Sequence, residues 1–293
     1  MHISNALHPA WEQPVPGVLT DGYSLEMTAK DVDALRAAAP RIAPDTPVAI
    51  TFLPGETMAA RIDAAVLVRS LGFEPMPHLS ARRIASHEEL ETIVARTTAE
   101  AGATRMFLVA GDPPVPAGPF SDTLSLLRTG LFERHGIKAI GIAGHPDGHP
   151  AMTGEELWRT LVEKQAEIHS RDMAMLIVTQ FGFDADPFLA WLGELRRRGI
   201  DVPVRIGVPG PAGIKTLLRF AAHCGVGASA SVMAKYGVSL SRLLGAAGPD
   251  KLVAAFAAGL TPAHGPVRLH FYPFGGLERT VDWIGEYGMR RAR

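Results

Sequence analysis

The sequence predicts an α/β fold and, within that class, a (β/α)8 TIM barrel with extra helices before the last strand. Three observations carry this. Eight strand-like apolar runs recur along the 293 residues, with amphipathic segments between them. The runs are continuous rather than strictly alternating, the pattern of parallel strands covered on both faces. No linker-like stretch, repeat or low-complexity tract divides the chain, so 1–293 reads as one barrel domain with an irregular, proline-bearing arm at about 1–21. An open, doubly wound sheet is the competing architecture.

The predicted strands are Tyr23–Met27, Val48–Leu53, Glu74–Ser80, Arg105–Gly111, Lys138–Gly144, Met173–Phe181, Val202–Gly210 and Arg268–Phe274. The helices between them are rich in Ala, Leu, Glu and Arg, as in "SHEELETIVARTTAEAG" and "DPFLAWLGELRRRG". Gly102 and Gly199 sit where left-handed C-caps belong. Two extra helices are expected between Ser229 and Gly259. Arg196, Arg197 and Arg198 end a helix, where cations complement the dipole, and read as a solvated face.

Composition narrows the function classes. Net charge is −1 and no basic stripe or acidic block stands out, so nucleic acid and anionic membrane are poor partners. The single cysteine, Cys224, rules out a disulfide within the chain. The opening "MHISNALHPAWEQP" lacks the regions of a signal peptide, and no apolar stretch approaches the ~20 residues of a membrane helix. A cytoplasmic protein is expected.

In a (β/α)8 barrel the chemistry collects at the C-terminal ends of the strands. Here those ends carry Glu26, Thr51, His78, Asp112, His145, His149 and Gln180. Each has a plainer reading: Asp112 before proline as a turn cap, His78 as a hydrogen-bonded core residue, Glu26 as a partner of Lys30. Their joint placement weighs more than any one of them. Glu26, between Leu25 and Met27, suits a desolvated general acid. Gln180 beside Phe181 and Phe183 suits a planar heterocycle, although the two rings read slightly better as core. "HPDGH" at 145–149 sits in a Pro/Gly loop without cysteine, which favours a phosphate or nucleotide grip over a metal site. No G-x-G-x-x-G follows the first strand, and no P-loop or G-x-S-x-G is present. "GVPGPAG" at 207–213 offers glycines where a ligand could approach the backbone.

Read together, the segments "YSLE", "VAITF", "PHLS", "AGDPP", "GHPDGHP", "VTQF" and "HFYPF" resemble, in order and spacing, the methylenetetrahydrofolate reductases of the bacterial single-domain type. The resemblance runs from about Tyr23 to Phe274. It implies a barrel that binds FAD, takes hydride from NADH or NADPH, and reduces 5,10-methylenetetrahydrofolate to 5-methyltetrahydrofolate or runs the reverse oxidation. By position it implies Glu26 as the acid that opens the folate ring and Asp112 as a catalytic group between flavin and pterin. Thr51, His78, Gly111, Asp112, His145, His149 and Lys164 would contact the cofactor, and Glu26, Asp112 and Gln180 the folate. It also implies a homo-oligomer. The sequence departs from the pattern at Ala110, where the family has Arg, at His145, where it has Tyr, and at "MTAK" after Glu26. A flavin-free folate reductase, a folate-dependent methyltransferase and a non-catalytic folate binder are the alternatives.

Overall fold

A computed structural model describes residues 17–53, 55–227, 236 and 246–291. Eight parallel strands close into a barrel in the order β1–β10–β7–β6–β5–β4–β3–β2. They are β1 (Ser24–Met27), β2 (Pro47–Ile50), β3 (Glu74–Ser80), β4 (Arg105–Val109), β5 (Ala139–Gly144), β6 (Ala174–Phe181), β7 (Val204–Pro209) and β10 (Val267–Tyr272). Two short strands, β8 (Ala212–Gly213) and β9 (Ala246–Ala247), pair antiparallel beside it. Among the described residues the helices are α1 (Val32–Ala38), α2 (Met58–Ser70), α3 (His87–Ala101), α4 (Thr123–Leu127), α5 (Leu131–Arg134), α6 (Gly154–His169), α7 (Asp186–Arg197), α8 (Ile214–His223), α9 (Asp250–Gly259) and α10 (Leu277–Arg291). Helix α9 is one of the two extra helices expected before the last strand; the stretch where the other was expected lies outside the described residues, as does most of the expected arm.

The strand pattern follows from alternation. Outward positions such as Leu25, Val48, Ile140, Ile177, Ile206 and Leu269 are fully buried under the helices. Inward positions form layers. The middle layer is a small apolar cluster of Ala49, Met76, Phe107, Leu176 and Val178. The floor carries three buried arginines, Arg105, Arg205 and Arg268, the last two paired in register. Arg205 donates to the carbonyl of Gly22 at 3.0 Å. Burial, then the charges of Arg105 and Arg268, brings its pKa down to about 9. The polar inward residues of the other end make the rim.

Several expected boundaries are corrected. β2 ends at Ile50 and β4 at Val109, so Thr51, Gly111 and Asp112 lie past the ends of their strands. Gly102 (φ +56°) and Gly199 (φ +74°) occupy the left-handed conformation that ends their helices. Arg197 and Arg198 pair with Glu194 on the surface, but Arg196 is not part of a solvated face. Its guanidinium donates to the carbonyls of His264 (2.8 Å) and Val202 (2.9 Å) and ties α7 to the approach of β10.

Candidate active site

Glu26 on β1 is the centre of the rim. Its side chain is 18% exposed, and Oε2 lies 3.7 Å from His270 Nε2 on neighbouring β10 and 3.9 Å from His78 Nε2 on β3. His270 is aimed by Ser24, whose Oγ is 2.8 Å from Nδ1; its Nε2 is buried without a hydrogen-bond partner among the described residues. The ring of His78 packs on Phe107, centroids 4.5 Å apart. Phe107 fits there because position 141 is glycine: a Cβ at Gly141 would stand 2.5 Å from it.

Burial sets the protonation of this trio. It lowers the His270 pKa to about 3, with Arg205 adding to the effect. It lowers that of His78 to about 4, against the pull of Glu26 and with help from His270 and Arg61. It raises the carboxyl of Glu26, which His78 only partly opposes. At neutral pH two uncharged imidazoles flank an acid that holds its proton more readily than a free glutamate.

The opposite wall is a bulge in β6 between Val178 and Phe181. Thr179 Oγ1 accepts from Gly207 N at 2.8 Å and donates to the Gln180 carbonyl at 2.8 Å, while Tyr272 OH donates to the Thr179 carbonyl at 3.0 Å. This re-aims half-buried Gln180, whose amide favours the charged form of Asp147 against burial and Asp184. Phe181 and Phe183 are core. Gly207 is required by packing, since a Cβ there would meet the Gln180 carbonyl oxygen at 2.5 Å. Burial, then Glu26 and Cys224, pushes the Tyr272 hydroxyl far up. Burial, then Glu26 and Asp112, pushes up the Cys224 thiol at the end of α8, so that thiol shares the field of the same rim.

The other predicted residues divide. His145 and His149 meet edge to face at 5.1 Å on the β5–α6 loop. Burial, then His149 and Lys164, lowers the His145 pKa to about 4. Lys164, half-buried on α6, is itself lowered by burial. These three form a second group. Thr51, just past β2, extends the ladder by donating its N–H to the Met27 carbonyl at 2.8 Å. Gly111 (φ +94°) lets the β4 loop close on Ser80. Asp112 does not turn toward Glu26: its side chain is 94% exposed, with Arg83 Nη2 at 3.9 Å. Sequence reasoning missed His270 and Tyr272. The signal was present, because every second residue of Arg268, His270 and Tyr272 is polar inside an apolar run.

The family model for methylenetetrahydrofolate reductase matches residues 24–240, from the first barrel strand past α8. The chain belongs to the methylenetetrahydrofolate reductase family. Among curated relatives, 5,10-methylenetetrahydrofolate reductase of Pectobacterium carotovorum is 30% identical over 155 residues, 51% of this chain and 48% of that one. Methylenetetrahydrofolate reductase 2 of Saccharomyces cerevisiae is 29% identical over 127 residues, 41% of this chain and 20% of the yeast protein. The matches thus span less than half of either relative. In fold, the chain is similar to an uncharacterized Clostridium thermocellum protein that binds two copies of 5-methyl-5,6,7,8-tetrahydrofolic acid. That comparison has a TM-score of 0.64 and 12% identity, and covers 99% of this chain and 98% of the other.

Proposed function

We propose that this protein reduces 5,10-methylenetetrahydrofolate to 5-methyltetrahydrofolate, with Glu26 as the proton donor. The observation that carries the reading is the half-buried Glu26 carboxyl held between two neutral imidazoles. Family membership supports the reaction class, and the folate bound by the C. thermocellum barrel supports the ligand class.

The reduction needs an acid before it needs a hydride. The bond between the methylene carbon and N10 breaks as N10 takes a proton, leaving a cationic iminium at N5. A hydride added to that carbon then gives the methyl group. Glu26, whose burial favours the protonated form relative to a free glutamate, supplies the proton toward N10 and is restored from water. His78 and His270, uncharged, line the site without competing as cations. Gln180 meets the pterin edge from the β6 bulge, and exposed Asp112 meets it at the lip. The same groups serve the reverse oxidation.

The hydride comes from NADH or NADPH. When bound, FAD supplies the two-electron relay between that donor and folate. The donor set fits it. The Thr51 hydroxyl and the His78 edge suit a ring at the ends of β2 and β3, where Gly111 keeps the neighbouring loop close. His145, His149 and Lys164 suit the dinucleotide at the β5–α6 loop. A second reading, hydride passed directly from nicotinamide to folate, is favoured by two observations: position 110 offers no cation, and Asp112 faces solvent.

Glu26→Gln tests the main reading. Folate reduction should fall by roughly a hundredfold to ten-thousandfold while folate still binds; reduction within tenfold of wild type would remove Glu26 from this role. The visible spectrum separates the two hydride routes. Flavin bands that bleach with anaerobic NADH support the relay, and a colourless protein that reduces folate without added FAD supports direct transfer.

A further inference from the structure

A cavity of about 340 Å³ opens beside the rim, between the barrel wall and the first turns of α2 and α3. Phe52 and Glu56 line it from the β2–α2 loop, Arg61 from α2, and Ser80, Arg82 and Arg83 from the end of β3 and the turn after it. Two guanidinium groups share one aromatic face pair: Arg61 and Arg83 each lie 4.7 Å from the Phe52 ring centroid. Phe52 holds together two cations that would otherwise separate.

The polar groups here are not used up by the fold. Arg61 Nε, Ser80 Oγ and Glu56 Oε1 are buried without hydrogen-bond partners among the described residues. The nearest acid to Arg83 is Asp112, at 3.9 Å and open to solvent. Buried polar atoms are normally paired, so three orphans lining one cavity indicate groups reserved for a ligand. Arg82 is committed elsewhere, donating to the carbonyls of Ser121 (2.8 Å) and Pro113 (3.4 Å). Burial disfavours the charge of Arg61, while Glu56 and Glu89 favour it; each of these acids has one oxygen taken by a backbone N–H, of Leu53 (3.0 Å) and Ala85 (2.7 Å). Met58, the first residue of α2, also lines the cavity, and the first turn of that helix holds no acid to neutralise its dipole. The cavity adjoins the active site, since Arg61 Nη1 lies 3.5 Å from the His78 carbonyl.

We propose that this cavity is an anion subsite. It takes the phosphate or carboxylate tail of the ligand whose reacting end sits at Glu26, gripped by Arg61 and Arg83. Ser80 Oγ donates to the same group, and Glu56 Oε1 accepts from a hydroxyl or N–H beside it. Assignment to that ligand rests on the folate-reductase reading; the anion site itself does not.

Calorimetric titration of the whole chain with inorganic phosphate and pyrophosphate tests the site without turnover. Saturable binding is expected, weakened at least tenfold in Arg83→Ala and partly kept in Arg83→Lys. Arg83 is 27% exposed, so its loss spares the core. KM then identifies the source of the anion. A rise confined to the nicotinamide dinucleotide assigns a phosphate; a rise that grows with the number of glutamates on folate assigns a carboxylate. No binding, equal affinity in wild type and Arg83→Ala, or lost anion binding with both KM values unchanged would each overturn the proposal. If Glu26→Gln stays fully active while the phosphate result holds, the reductase reading fails and the anion site stands.

Discussion

His270 should make the stability of this barrel depend on pH in a way one substitution can isolate. Its imidazole is 1% exposed and its pKa is brought from 6.5 to about 3. Above pH 6.5 neither the folded nor the unfolded chain protonates this group, and it makes no contribution to the pH dependence. Below 6.5 the unfolded chain takes a proton that the folded chain refuses, so stability falls as pH falls, until about pH 3. Each pH unit in that window costs about 1.4 kcal/mol for one proton, so going from pH 7.5 to pH 5 costs about 2 kcal/mol from this residue alone. His78 adds a loss of the same sign down to about pH 4. Glu26 acts the other way, because a raised carboxyl gains protons in the folded state first. The His270→Asn variant removes the first contribution and relaxes part of the second, because the charge of His270 also lowers the His78 pKa. Urea unfolding of wild type and variant at pH 7.5, 6 and 5 should show the variant less stable at pH 7.5 but about 2 kcal/mol less sensitive to acid. Parallel pH profiles would refute the claim that His270 is held neutral by its surroundings.

Two further outcomes follow from the same geometry. If Glu26 donates the proton, kcat/KM for folate should be flat in acid and fall about tenfold per pH unit above its raised pKa, measured with the hydride donor saturating; a profile rising with pH would assign a base instead. Gly207→Ala places a Cβ 2.5 Å and 2.7 Å from two backbone carbonyl oxygens that cannot rotate away, so it should cost about 1–3 kcal/mol and lower the melting temperature by several degrees. An unchanged melting temperature would show that the β6 bulge yields freely.

The barrel was legible because its repeat is simple: a parallel strand buried on both faces gives an unbroken apolar run, and eight such runs leave few architectures. Strand ends were less legible because apolar character outlasts the strand, as at Val48–Leu53, where β2 ends at Ile50. The place of Glu26 and His78 on the rim was legible because a polar residue ending an apolar strand stands out from its run. His270 was readable by the same logic but was masked by the aromatic residues around it. The outward turn of Asp112 and the stacking of Arg61 and Arg83 on Phe52 were not readable. They depend on how three loops, separated by dozens of residues, choose their rotamers.

The arginine floor has a consequence for anyone who would strengthen this scaffold. Replacing buried charges with greasy residues of equal size is a common route to a hardier protein. Here the charge of Arg205 reaches up the barrel axis and helps keep His270 neutral. An Arg205→Met barrel gained for robustness would arrive with a more basic imidazole beside Glu26, so its durability and its proton chemistry cannot be tuned separately.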